Sequence, residues 1–158
     1  MGLTHLEMPE NPLQRSNTKA WGMASSHIER WHPYTWPQII LQQHLMFRAT
    51  NPRVGPTAYL WFTRLPSELG DDHSIFEMHA CCRPGWKGKW LSFGVLVSLV
   101  GHIYVDLKAD QVIALHQYPE VRSVLSRIGF EAHGDFVHIL NMEEPNELLE
   151  RYLRRWRG

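Results

Sequence analysis

The chain has 158 residues, 44% of them hydrophobic, with 16 lysines and arginines balanced by 16 aspartates and glutamates. That length fits one ordinary domain able to bury most of its apolar surface in one core, and the zero net charge leaves no overall field to draw it to nucleic acid or to an anionic membrane. The only cysteines, Cys81 and Cys82, are adjacent; neighbours on a strand point to opposite faces, which excludes a disulfide scaffold and points to a reducing compartment.

The longest apolar stretch, Leu91 to Val105, is interrupted by Ser92, Ser98 and His102 and falls short of the roughly 20 residues that span a bilayer. The N-terminal "MGLTHLEMPENPLQ" has neither the basic start nor the apolar core of a signal peptide. The expected setting is cytoplasmic, or inside an assembled particle, and not secreted.

Residues 1–24 are polar and without a clear period, and read as an extended arm ordered by a partner. "YTWPQIILQQHLMFRATNP" predicts a helix, with Thr35 as N-cap, Pro37 in the first turn and Pro52 beyond the end. "PTAYLWFTRLP", aromatic and bounded by prolines, predicts a strand. "HSIFEMHACC" predicts a second strand, with Glu77, His79 and Cys81 on one face and Phe76, Met78 and Ala80 on the other.

"RPGWKGKW" follows as a loop, and the 91–106 stretch is read as a buried helix, because its length outweighs the strand preference of its valines. "ADQVIALHQ" is a strand. "YPEVRSVLSRIGF" predicts a helix with Pro119 in its first turn and Gly129 as a left-handed cap. "EAHGDFVHILN" is a strand broken at Gly134, and "EPNELLERYLRRWRG" an amphipathic helix with a Leu148, Leu149, Tyr152 and Trp156 stripe. The order of elements is an α/β or α+β pattern without internal repeat.

Glu77, His79 and Cys81 share a strand face, but same-face neighbours lie roughly 6 to 7 Å apart, too splayed for one zinc ion. No metal is expected. Asp106 and Lys108 in "VDLKAD" have the acidic-x-lysine spacing of a restriction-type nuclease, yet they end the presumed helix instead of lying on a central strand, so direct nucleic-acid binding is not expected. The cysteines read as core residues, since no helix N-terminus precedes them to lower a thiol pKa.

From Ile75 to Leu140 the chain resembles the Gcn5-related N-acetyltransferase (GNAT) superfamily. "EMHACCRPGWKGKW" looks like the family's strand and cofactor loop, of pattern Q/R-x-x-G-x-G/A, and "LSFGVLVSLVGHIYV" like the helix that follows it. "DQVIALH" looks like the next strand, and "EVRSVLSRIGFEAHGDFVHIL" like the last core helix, its "GF" signature and the closing strand. The resemblance implies a single-domain α/β (α+β) fold over residues 25–158, with a mixed, mostly antiparallel sheet flanked by helices. It also implies acetyl-CoA as cofactor if the protein is active, held by backbone amides and a helix N-terminus. The cofactor-binding residues would be Lys87, Gly88, Lys89 and Ser92, and the catalytic residues Glu77, as general base on the amine, and His79 beside it.

This chain departs from the pattern at Trp90 and Ser92, where the family has glycine and glycine or alanine, and bulky indole obstructs a close backbone approach. It has Tyr118 where the family often has asparagine, and Leu125 where the family's tyrosine acts as general acid. Worn versions of this fold are familiar among phage-encoded proteins, including components of short-tailed virions. Two functions follow. One is a catalytically degenerate, structural or assembly component of a phage particle, without cofactor and working through other protein subunits or through self-association. The other is an active acetyl-CoA-dependent N-acetyltransferase acting on an amine.

Overall fold

A computed structural model of the chain describes residues 3–6, 19–31, 45–66, 74–115, 119–134, 137–143 and 146–157. In chain order the elements are β1 (Leu3–Leu6), α1 (Lys19–Trp31), β2 (Leu45–Asn51), β3 (Gly55–Leu65), β4 (Ile75–Cys82) and α2 (Phe93–His102), which runs on into a π-helical turn (Ile103–Leu107). Then come β5 (Gln111–Leu115), α3 (Pro119–Ile128), β6 (Glu131–Ala132), β7 (Val137–Asn141) and α4 (Glu147–Arg157). The strands form one seven-stranded sheet in the order β1-β2-β3-β4-β5-β7-β6. Its pairings β1–β2, β2–β3, β5–β7 and β6–β7 are antiparallel and β4–β5 is parallel, which makes it mixed and mostly antiparallel as expected. Among the described residues, no helix is long and apolar enough to cross a membrane.

By compactness the chain divides into two units, residues 3–63 with 79–90 and residues 64–78 with 91–158. β4 passes from the second into the first, contributing one half to each.

In the first unit, α1 places Trp21, Ala24 and Ile28 at helical spacing and packs them against Met46, Tyr59, Trp61 and Cys81 in one buried cluster. Phe47, Ala49, Ala58, Leu60 and Phe62 are buried as well, with Phe47 and Phe62 meeting edge to face at 5.9 Å. Burying each large side chain stabilises by about 1.5–3 kcal/mol. β1 registers Leu3 opposite Ala49 and Leu6 opposite Met46.

Two expectations change here. The segment read as an arm contains β1 and the start of α1, because Leu3, Leu6, Trp21 and Ala24 are buried core residues. The helix expected from Thr35 toward Pro52 is corrected in its second part: Leu45–Asn51 is a strand, laddered on both sides by β1 and β3. Both of its faces are covered, since Met46 and Phe47 are buried as neighbours, and a strand covered on both faces loses the alternation that would have revealed it. The Thr35 cap itself lies outside the described residues.

In the second unit, α2 buries Val95, Leu96, Leu99 and Val100, and the π-helical turn adds Ile103 and Leu107. Helix therefore wins over strand for this stretch. Lys108 ends the turn in the left-handed region at φ 51°, its N–H donating to the Ile103 carbonyl. α3 ends at Gly129, φ +116°, where the N–H groups of Gly129 and Phe130 return to the Leu125 carbonyl, a cap that only glycine adopts without strain. Leu125, Ile128 and Phe130 are buried behind it.

Candidate functional site

β4 carries Glu77, His79 and Cys81 on one face, as its alternation requires. His79 stacks on Trp61, rings 5.7 Å apart and 13° from parallel, so the indole fixes its orientation. Glu77 and His79 are both half-buried and both engaged by neighbouring groups. Cys81 is part of the α1 cluster, and burial pushes its thiol up to about 12, with the Cys82 charge adding to the effect. Burial also raises Cys82, against a lowering influence of Lys87. Neither thiol is a poised nucleophile. Among the described residues no group of three or more His, Cys, Asp or Glu side chains is arranged to hold a metal ion.

The loop after β4 is two tandem turns. Trp86 N–H donates to the Arg83 carbonyl at 3.0 Å across Pro84 and Gly85, and Lys89 N–H donates to the Trp86 carbonyl at 3.0 Å across Lys87 and Gly88. Gly85 and Gly88 have φ of +83° and +78°, the positive value that a type II turn needs at its third residue. Trp90 N–H also turns back to the Trp86 carbonyl, at 3.3 Å. A Cβ on Gly88 would meet nothing within 4 Å, so its glycine answers to backbone conformation and not to close approach. Lys87, Gly88 and Lys89 are exposed and Trp90 is half-buried.

Ser92 is the N-cap of α2: its Oγ accepts the Val95 N–H at 3.2 Å, and its carbonyl accepts the Leu96 N–H at 3.0 Å. The Lys89 and Trp90 amides, in the stretch that the resemblance assigns to the cofactor, are thus already paired within the chain. Leu125 is 3% exposed and packed in the core. Tyr118 lies outside the described residues. Asp106 pairs with His102 one helical turn before it, and Lys108 caps the π-helical turn, so the nuclease-like spacing falls on no strand.

A cluster that the sequence reading missed lies in the first unit. His27 Nδ1 and the Tyr59 hydroxyl share a 2.8 Å hydrogen bond. Burial, reinforced by Arg30, Arg83 and Arg48, holds His27 below its usual pKa, and burial pushes Tyr59 up to about 12. Trp31 stacks on His27 at 4.5 Å and 5°, with the Arg83 guanidinium 5.7 Å from the Trp31 ring centre. The signal was present in Trp21, Ala24, Ile28 and Trp31, whose spacing is helical.

No family model and no curated protein matches the chain. Solved structures do. It is similar to the GNAT family N-acetyltransferase YhbS of Escherichia coli in complex with CoA, at 13% identity over 96% of this chain and 83% of that one, with a TM-score of 0.58. RimJ of Mycobacterium smegmatis, in complex with CoA-disulfide, is similar at 15% identity over 98% and 94%, with a TM-score of 0.58. The chain has the GNAT fold. A third structure, aminoglycoside acetyltransferase AAC(6')-Ib in complex with coenzyme A and kanamycin, matches at 16% identity over 99% and 100%, with a TM-score of 0.53. At these identities the GNAT likeness carries architecture alone.

Proposed function

We propose that this GNAT-fold protein is catalytically degenerate and serves as a structural or assembly component of a phage particle, through contacts with other protein subunits or with further copies of itself. The observation that carries the loss of catalysis is the pairing of the Lys89 and Trp90 amides within the chain. An amide bound to its own chain must break that bond to meet a phosphate, and a net hydrogen bond is worth about 1 kcal/mol each time. With Trp90 beside them and leucine in place of the acid, these residues do not fit acetyl-CoA in the family's manner. The assembly role is supported by the π-helical turn, which leaves Tyr104 and Val105 as adjacent exposed apolar side chains, 46% and 44% accessible. The phage setting rests on the resemblance to worn acetyltransferases of virions.

The second reading, an active N-acetyltransferase, is favoured by Glu77 on β4 and by the CoA found with YhbS, RimJ and AAC(6')-Ib. Titration calorimetry with acetyl-CoA separates the two. The degenerate reading expects no binding heat and no rise in Tm up to about 1 mM ligand, where a native-state ligand would stabilise by mass action. Saturable binding in the micromolar range would replace this reading with the enzymatic one. Light scattering of the Tyr104→Glu, Val105→Glu variant tests assembly: loss of association at unchanged Tm supports it, and association equal to the parent's overturns the assignment of this patch.

A further inference from the structure

The second unit contains a cavity of about 350 Å³ to which the proposed function assigns no role. Leu96 from α2, Ile128 at the end of α3, Leu140 of β7 and Leu148 of α4 give it an apolar floor, and Phe93 stands at its edge, 51% exposed. Its charged lining is Arg127, Arg151 and Glu147. Arg151 Nη2 lies 3.1 Å from Glu147 Oε1, and its guanidinium lies 5.2 Å from the Phe93 ring centre. Both members of that pair are well exposed, so solvent screens it and it opens readily.

Both ends of the Asn146 amide and the Asn141 amide oxygen are already committed. Asn146 Nδ2 donates to the Ile128 carbonyl and its Oδ1 accepts from Leu149 N–H, while Asn141 Oδ1 accepts from Glu143 N–H. The ionic lining therefore sums to two guanidiniums against one carboxylate, one net positive charge over an apolar floor. One negative charge matches this wall better than two. The planar guanidinium suits a carboxylate, which it can bind through two parallel hydrogen bonds. The volume is at the lower end of small-molecule sites, about 300–1,000 Å³, and suits a single-ring acid.

We propose that this cavity is a binding site for a small amphipathic carboxylate, its apolar body on Leu96 and Leu140 and its carboxylate between Arg127 and Arg151. The proposal requires neither the loop nor Glu77, so it stands whether or not the protein is catalytic. The experiment is an amide NMR titration of the full chain with 3-phenylpropionate, 3-phenylpropan-1-ol and acetate. The acid should shift Phe93, Leu96, Gly129 and Leu140 saturably, and the alcohol and acetate should bind at least tenfold more weakly. Arg127→Gln with Arg151→Gln should weaken the acid at least tenfold and leave the alcohol unchanged. Equal binding of acid and alcohol, acetate as tight as the acid, full affinity in the double variant, or no saturable shift at these residues would each overturn it. The comparison of probes on the parent chain decides the matter even if the double variant folds poorly.

Discussion

Two glycines in the same backbone region separate conformational from steric demand. Gly88 and Gly129 both have positive φ, but a Cβ at Gly88 meets open space while one at Gly129 would stand 2.9 Å from Asn146 Nδ2. Gly88→Ala should therefore cost about 1 kcal/mol of left-handed strain, and Gly129→Ala about 2–4 kcal/mol, since it adds displacement of a hydrogen-bonded side chain. Denaturant titration of the two variants checks the ordering, and equal losses would contradict it. A residue-scale pH effect follows from His27. Its folded pKa lies below the unfolded 6.5, so the unfolded chain binds the proton first and stability falls as pH drops through that value, levelling off below the folded pKa. His138, lowered chiefly by burial and then by Arg122 and His133, acts in the same direction. Unfolding free energies at pH 7.5 and 5.5 should decline for the parent and decline less for His27→Phe; an identical slope would remove His27 from the account.

Among the elements, legibility followed the strength of local punctuation. β4, α3 and α4 were readable because alternation, Pro119 with Gly129, and the Leu148 stripe each announce a period and an end. β2 was not, because Met46 and Phe47 are both buried and no alternation survives. α1 was not, because polar residues surround its Trp21, Ala24 and Ile28 stripe and its stability comes from packing on Tyr59 and Trp61, which lie far along the chain. The candidate site was legible as residue types: Glu77 and His79 were placed on their strand. What the sequence did not disclose was the direction of the loop amides, a matter of turn geometry. α2 offers a test at this scale. Ser92→Ala removes the Oγ that accepts Val95 N–H and should cost about 1 kcal/mol, whereas Ser92→Gly should cost only a few tenths. A thermal melt in which both behave alike would mean that the cap contributes nothing.

For the whole molecule, the sequence yielded the architecture more securely than the chemistry. The order of elements from Ile75 to Leu140 constrains how a sheet can be threaded, and the mixed sheet and closing β7 were implied by the resemblance of that order. Function depends on a few positions on such a frame, and at Trp90, Ser92 and Leu125 this chain departs from the pattern it resembles without disturbing the threading. The frame is also the more tolerant part. A core cluster built on Trp21, Tyr59 and Trp61 survives the loss of one loop hydrogen bond, while Trp61→Ala would remove about 3–5 kcal/mol and the stacking support of His79 with it.

Asn146 bridges the end of one helix and the start of another, holding the Ile128 carbonyl with its amide and the Leu149 N–H with its oxygen. The two bonds tie the start of α4 to the glycine-capped end of α3 through one side chain. The cavity wall that contains Leu148 and Arg151 therefore hangs on a single amide joint. Ligand capture at this cavity would report on whether that joint is intact.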